Sequence, residues 1–550
     1  MCTEEQHFRR VNMFQPIPQT LKFDQLVNDI KKGEIKIPQF QREFVWSKAQ
    51  SAKLMDSILK GYPIGTFILW KTRERLRSIR NIGNITLPST QDGDFIQYVL
   101  DGQQRMTSLY ASLEGVMIAR EDGNKEDFSE MYVDLTVSDE DDIVVCDVEE
   151  KNQGTYIKIK DLYEGKIKVL NNFDEKYHTK LQDYKDRIKT YDFSAILIKE
   201  SPVDVATEIF TRINVGGKSL SVFEIMVAKT YDPSKNFDLA EKYEELIEEL
   251  DQCDYGTISD ATVLQTIAVI LKGDCTKKTI LGLDKAKFIS IWDEATDAIK
   301  YAVDYFRGFY RIPVSQLLPY NALIIPFSYY FYRKKTKPTG DQQKLLQDYF
   351  WRVSLTERFS SSVETKIGKD IKRIDEIFNG VQPCYDFEVN LTTDYISNNG
   401  WFSAGRSYIK ALLCILVYQQ PQSFNDGSLV NISNDWLKQA NSKNYHHFFP
   451  KSYLLKKGRD AFSINHIFNI TIVDDFLNKR EIRAKAPSIY MKKFRKENQD
   501  ITATMKTHLI NGLDLHGIWA NDYDMFFKKR GEAFRNELKK RIIPQKIDVI

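Results

Sequence analysis

Near the carboxyl end two adjacent histidines, His446 and His447, are followed by asparagines at 469 and 478. Five of the seven histidines (446, 447, 466, 508, 516) fall in the last 105 residues, a crowding that favours metal or proton chemistry. In phosphodiester hydrolysis a neutral imidazole can deprotonate water while a hard divalent cation polarises the phosphate. His447 would then be the base, with His446 and Asn478 as metal ligands. Asn469 would hold the His447 loop or ring in place. Residues 444–452 read as a short strand turning at Pro450, residues 469–473 as a second strand, and Asp474 or Asp475 as the start of a helix carrying Asn478. Neighbours on a regular strand point to opposite faces, so the two histidines share one site only if the strand is bent or twisted. By spacing alone an isolated His-His pair is more often a surface pair with asparagines capping turns, and that alternative stays open here.

A second constellation lies at residues 98–109. Apolar alternation over 95–100 predicts a strand, Asp101-Gly102 a tight turn and Gln103 onward a helix to about Leu113. Phosphate-binding sites favour that layout, because unpaired amides and the positive dipole end of a helix attract anions. Arg105 could give a phosphate a bidentate contact and Asp101 could hold a divalent metal or a base, with Gln103 and Gln104 as neutral donors and acceptors. Equally, Asp101 could cap the helix and Arg105 pair with a structural carboxylate. Residues 210–225 repeat the logic: Asn214, Gly216 and Gly217 precede Lys218 and a capping box of Ser221 with Glu224. A glycine pair before a helix is common, and the structural explanation is the stronger one there.

The elements that must carry these residues fall into three stretches. Up to about residue 100 amphipathic helices alternate with short strands, beginning with helical spacing over 21–30 and a turn at 61–65 that leads into a strand over 66–70. An acidic, strand-containing insert spans 121–150. From 204 to about 402 the pattern is helical, with breaks at Pro313, at 338–340 and near Pro383. At 550 residues the chain exceeds one usual core. The expected fold class is α+β and predominantly helical, with domains at 14–230, 231–400 and 401–550.

Net charge is +2, from 78 Lys and Arg against 76 Asp and Glu, so the whole chain does not announce a nucleic-acid binder. Residues 476–498 do: eight basic residues, among them Lys479, Arg480, Lys485, Lys492 and Lys493, face two acidic ones. With Tyr490 and Phe494 interleaved, that run could follow a phosphate backbone, or be a solvated helix face. Six scattered cysteines with no CxxC pair predict a reduced, cytoplasmic setting, and no apolar run approaches the roughly 20 residues of a membrane span.

Asp101-Gly-Gln-Gln-Arg105, preceded by Pro38-Gln-Phe-Gln-Arg42, Trp46 and Pro63-Ile64-Gly65 and followed by Arg212-Ile-Asn-Val-Gly-Gly217, resembles the amino-terminal domain of GmrSD-type, modification-dependent restriction proteins, over about 14–230. The resemblance implies a ParB-like or sulfiredoxin-like α/β fold that binds, and hydrolyses, a nucleoside triphosphate of unspecified base. It makes Gln41, Arg42, Asp101, Gly102, Gln103, Gln104, Arg105, Asn214, Gly216 and Gly217 the nucleotide-binding residues, with Asp101 and Arg105 as the chemically active pair.

Residues 447–452, 469–472, Asn478-Lys-Arg and 485–488 resemble the HNH-type (ββα-metal) nuclease domain of the same family, over about 400–550. This implies His447 as general base, Asn469 as central asparagine, and His446 and Asn478 as ligands of a divalent ion, Mg²⁺ first, then Mn²⁺, Ni²⁺ or Zn²⁺. Relatives often carry another residue type at the His446 position, and His466 is an alternative ligand. The implied protein is a nucleotide-regulated endonuclease of a bacterial anti-phage system, cutting double-stranded, modified DNA. A homodimer is compatible with a double-strand cut. The rival reading is an NTP-hydrolysing DNA-binding adaptor with an inactive HNH fold.

Overall fold

The computed structural model describes residues 16–38, 44–76, 78, 81–82, 85–91, 93–120, 123–201, 203–213, 221–433, 445–473 and 481–550. The chain divides into two compact units, residues 1–239 and 240–550. The expected helical stretch and the carboxyl-terminal stretch therefore share one unit.

The first unit is built on a five-stranded mixed sheet in the order Ile17–Lys22, Asp192–Lys199, Phe67–Thr72, Ile96–Asp101, Ile35–Lys36. The central strand, Phe67–Thr72, is the one expected after the turn at 61–65, its neighbour Ile96–Asp101 is the one that apolar alternation predicts, and period two decides what each face buries. Phe67, Leu69, Val99, Phe193 and Leu197 enter the larger core. Trp70, Tyr98, Leu100 and Ile198 enter a smaller one on the other side, where Val203 and Ala206 of the helix Val203–Ile213 join them. Both faces are thus covered by apolar side chains, as a mixed α/β sheet requires. The acidic insert contributes Tyr132–Asp134 and Val144–Val145 to a small sheet that Tyr156–Lys158, just beyond it, completes, with Val133 fully buried.

In the second unit the helices Asp260–Lys272, Lys285–Gly308, Ile324–Arg333, Asp341–Ser354 and Val363–Phe378 pack around a run of aromatic rings, including Tyr310 stacked on Phe350 at 4.1 Å. The carboxyl-terminal stretch has its own aromatic core of Phe424, Phe448, Phe449, Tyr490, Phe494 and Phe526. Among the described residues no helix is long and apolar enough to cross a membrane, and the five described cysteines are free.

The last residues of the chain return to the helical part and are locked there by buried charge. Arg352 grips Asp548 with both terminal nitrogens, at 2.8 and 2.6 Å, and also donates to the Ile543 carbonyl and to Asp348. Asp348 in turn accepts from the Ile543 amide at 2.8 Å. All three charged side chains are essentially inaccessible to water. Burial pushes the Asp348 carboxyl up to about 6 in spite of its arginine, whereas the hydrogen bonds on Asp548, led by Arg352, outweigh its burial and hold it low. Removing one member of such a cluster leaves its partner charged and dry. Asp548→Ala should therefore lower the urea-unfolding stability of the full-length protein by about 3–5 kcal/mol; a change below about 1 kcal/mol would show that the tail is not held by this pair.

Candidate functional site

Asp101 ends its strand and Gly102 begins the helix Gln103–Glu114, as the sequence predicts. Gly102 has φ +92°, and a Cβ there would lie 2.5 Å from the Phe67 ring, so only glycine fits. The Arg105 guanidinium donates to the carbonyls of Ile64 at 2.7 Å and Thr66 at 3.0 Å, contacts Asp101 at 3.3 Å and lies over the Phe67 ring. It is largely occupied by the protein itself. Gln104 accepts from the amides of Val45 and Trp46. Arg120 reinforces that tie by donating to the carbonyls of Phe44 and Trp46.

The 101–105 turn thus gathers two of the segments that accompany it in the sequence, 44–46 and 63–65. Asp101 keeps about a third of its side-chain surface in water, and Gln103 is buried. Gln41, Arg42, Asn214, Gly216 and Gly217 lie outside the described residues. The capping box of Ser221 with Glu224 forms as expected.

In the second unit Tyr445–His447 pairs antiparallel with Ile470–Ile472, placing His446 opposite Thr471 and His447 opposite Ile470. The pairing is regular, and the two imidazoles go to opposite sides. His446 is buried beside Phe424 and Tyr490. Its Nδ1 lies 3.2 Å from Thr471 Oγ1. The Thr471 hydroxyl has one proton and two acceptors in reach, this nitrogen and the His446 carbonyl at 3.3 Å. The opposite nitrogen, Nε2, is buried with no hydrogen-bond partner. Burial, with smaller contributions from His447 and His508, pushes this imidazole down to about 3.

His447 is half-buried, and its Nε2 meets Asn465 Oδ1 at 3.1 Å. Asn465 Nδ2 donates to the Phe402 carbonyl, which fixes the amide's orientation. The bonding network therefore puts the His447 proton on Nε2 and leaves Nδ1 to act as a base. Burial, and secondarily Lys451, holds this ring below the ordinary imidazole value against the opposing Asn465 hydrogen bond, so it is neutral near pH 7.

Asn469 is fully buried and ties the loop shut. Its Nδ2 donates to the carbonyls of Phe449 and Ile464, and its Oδ1 accepts from the Phe449 amide at 2.8 Å. Arg530 donates to the carbonyls on either side of it, Phe468 and Ile470, both at 2.8 Å. Asn465, Thr471 and Arg530 were not singled out by sequence. Thr471 and Asn465 sit two and four residues from Asn469, but Arg530 lies 61 residues beyond it, with no local signal to find it.

His466 does not serve as a spare ligand: Nδ1 accepts from the Phe468 amide and Nε2 reaches the Ser397 carbonyl. Both nitrogens are committed to structure. Tyr490 and Phe494 also differ from expectation, because they face the aromatic core of the helix Pro487–Glu497 rather than a phosphate backbone. Lys492 and Lys493 stand exposed on its other side, Lys493 in contact with Glu481, and Lys485 is exposed ahead of it. Asn478, Lys479 and Arg480 lie outside the described residues. Among the described residues, no cluster of three His, Cys, Asp or Glu side chains could hold a metal.

Residues 23–231 match the family described as GmrSD restriction endonuclease, N-terminal domain. The match covers four of the five strands of the sheet, all but Ile17–Lys22, together with the Asp101 turn and the segments it gathers. Over 95% of its length the chain is also 24% identical to an uncharacterized protein of Methanocaldococcus jannaschii, of which the alignment covers 97%. Similarity of the GmrSD type is thus assigned to the first unit, while the relative spans both.

Two outcomes test this geometry. Gly65 has φ +90°, and an added Cβ would lie 2.4 Å from Arg105 Nη1; Gly65→Ala should cost about 2 kcal/mol or more in thermal or urea unfolding by displacing the guanidinium. Second, buried His446 and His508 are pushed down to about 3 and His466 to about 4, from 6.5. Between those values the unfolded chain binds protons that the native chain refuses, so stability falls as pH drops from about 6.5 towards 3. His508→Gln, whose amide can still reach the Gln422 carbonyl, should remove about one proton from that acid limb in unfolding measured against pH.

Proposed function

We propose that the chain is a nucleotide-regulated, metal-dependent DNA endonuclease of an anti-phage restriction system, its second unit cutting and its first unit controlling. The observation that carries the reading is the His447 network: a neutral imidazole, oriented by Asn465, with Nδ1 available as a base. Asn469 supports it by fixing the turn that follows the strand. Lys451 adds positive charge beside a site meant for a phosphate.

The donors suit a divalent ion in part. His446 Nε2 is buried and unpartnered, and its opposite nitrogen lies 3.2 Å from the Thr471 hydroxyl, a contact of the kind that orients a ligating histidine. Asn478 would complete the set. When bound, such an ion supplies polarisation of the phosphate and stabilisation of the leaving oxygen. His447 takes the proton from the attacking water at Nδ1, and the Asn465 carbonyl then holds the charged ring through Nε2. The exposed face of Lys485, Lys492 and Lys493, with Lys479 and Arg480, would lie along the DNA backbone.

In the first unit, a nucleoside triphosphate would meet Asp101, Gly102, Gln103 and the first-turn amides, with Gln41, Arg42, Asn214, Gly216 and Gly217 as the further binding residues that the sequence resemblance implies. The guanidinium of Arg105 is committed to Ile64 and Thr66, which favours a role in shaping the turn beside any phosphate contact. Modified DNA is the target that a GmrSD-type sensor suits.

One observation favours the rival reading of a DNA-binding adaptor without cleavage: His446 and His447 diverge across a regular strand. Cleavage of modified and unmodified phage DNA, with Mg²⁺, Mn²⁺ or Ni²⁺ and with each nucleoside triphosphate, separates the two. His447→Ala should lower strand scission by about 10²–10⁴-fold with DNA affinity kept. Undiminished scission in that variant, or none by the natural protein under any of these conditions, would overturn the nuclease assignment.

A further inference from the structure

The side of the histidine site that Asn465 forms continues into an unusual surface. Trp401 and Phe462 are 39% and 38% exposed, yet they stack on each other with ring centroids 6.0 Å apart and planes 28° from parallel. Single exposed aromatics are ordinary, but two large rings stacked in water form a flat apolar ridge. Their backbones are rigidly held. Trp401 is bridged to His466, and the Phe402 amide donates to the Asn465 carbonyl at 2.8 Å. The Ile467 amide donates to Gly400, and Phe462 sits in a short helix capped by Asp460.

The same Asn465 side chain bonds Phe402 on one side and His447 on the other. The ridge and the candidate base are therefore joined by one amide. We propose that Trp401 and Phe462 form a stacking platform for an unpaired nucleobase next to the phosphate that His447 addresses. A base has a π face whatever its identity, and stacking on an aromatic side chain is sequence-tolerant. Phosphates flanking such a base would find positive charge on Lys451, beside His447, and on exposed Arg406, whose guanidinium donates to the Asn399 carbonyl two residues before Trp401. The unpaired base could come from a DNA strand opened or flipped at the site, or from RNA.

This inference rests on the nuclease reading for its placement, but binding tests it separately. Full-length protein carrying His447→Ala, to prevent cleavage during titration, is titrated with fluorescent twelve-residue oligothymidylate, oligouridylate and a fully paired DNA duplex. Trp401→Ala and Phe462→Ala should each weaken binding of the preferred single strand by about 5- to 100-fold, since a stacked base contributes about 1–3 kcal/mol. Trp401→Phe and Phe462→Tyr should restore it to within a few-fold. Duplex affinity, set by the basic face, should change less than about twofold in folded variants. The tighter of the two oligonucleotides identifies the source of the base.

Single-strand affinity that is unchanged in both alanine variants overturns the platform, as does failure of both oligonucleotides to bind. If alanine at either position unfolds the chain, loss of affinity in Trp401→Phe equal to that of a non-aromatic Trp401→Leu variant overturns it as well. Dependence on Trp401 in a chain whose natural form cuts nothing leaves the platform standing and fails the nuclease reading alone. Cleavage with no dependence on either ring does the reverse.

Discussion

Backbone carbonyls stranded in turns are the constraint on which both halves of this protein depend. A carbonyl that leaves a sheet or helix while still buried must find a donor, or it costs about 1–3 kcal/mol. This chain meets the need with arginines whose planar forks reach two carbonyls at once. Arg105 takes Ile64 and Thr66, Arg120 takes Phe44 and Trp46, and Arg530 takes Phe468 and Ile470. Arg530 shows how far the device is pushed. It is wholly buried, burial drives its guanidinium down to about 9, and it remains a cation at neutral pH.

The same device explains why the most recognisable word in the sequence, Asp101 to Arg105, is compact in chemistry and wide in reach. Gly102 allows the turn, Gln104 holds 45–46, and Arg105 holds 64 and 66. Three residues at one helix start thereby fix two loops that lie up to 59 positions before them in sequence. Any ligand at that helix start would meet a surface shaped before it arrives, which is the condition for low ordering cost on binding.

Local pattern made much of this legible. Period-two alternation marked the strand ending at Asp101, the turn at 61–65 marked the one ending at Thr72, glycine at 102 marked the tight turn, and the Ser221–Glu224 spacing marked its capping box. The strands 445–447 and 470–472 also fall within the two runs read as strands, 444–452 and 469–473, while their pairing comes from the structure. What stayed hidden was long-range. Tyr490 and Phe494 share a stretch with eight basic residues, and sequence cannot say which side of the helix meets the core; Phe424, Phe448 and Phe526, far away in the chain, decide it. The fates of His466 and Arg530 were invisible for the same reason, since their partners Ser397 and Phe468 are separated from them by 69 and 62 positions.

Burial alone would make His446 and His447 inert, because a dry imidazole resists protonation and has no reason to prefer one tautomer. What distinguishes His447 is that it is read by a neighbour whose own orientation is already determined. Asn465 gives an amide proton to the Phe402 carbonyl, so its oxygen can only accept from the ring beside it. His447 therefore keeps its lone pair on Nδ1. His446 meets a hydroxyl, Thr471, that can donate or accept, and its Nε2 is left without a partner. A regular strand sends the two rings to different faces. A backbone carbonyl that had to be satisfied for the fold to form, that of Phe402, thus also sets which nitrogen of His447 is left for chemistry.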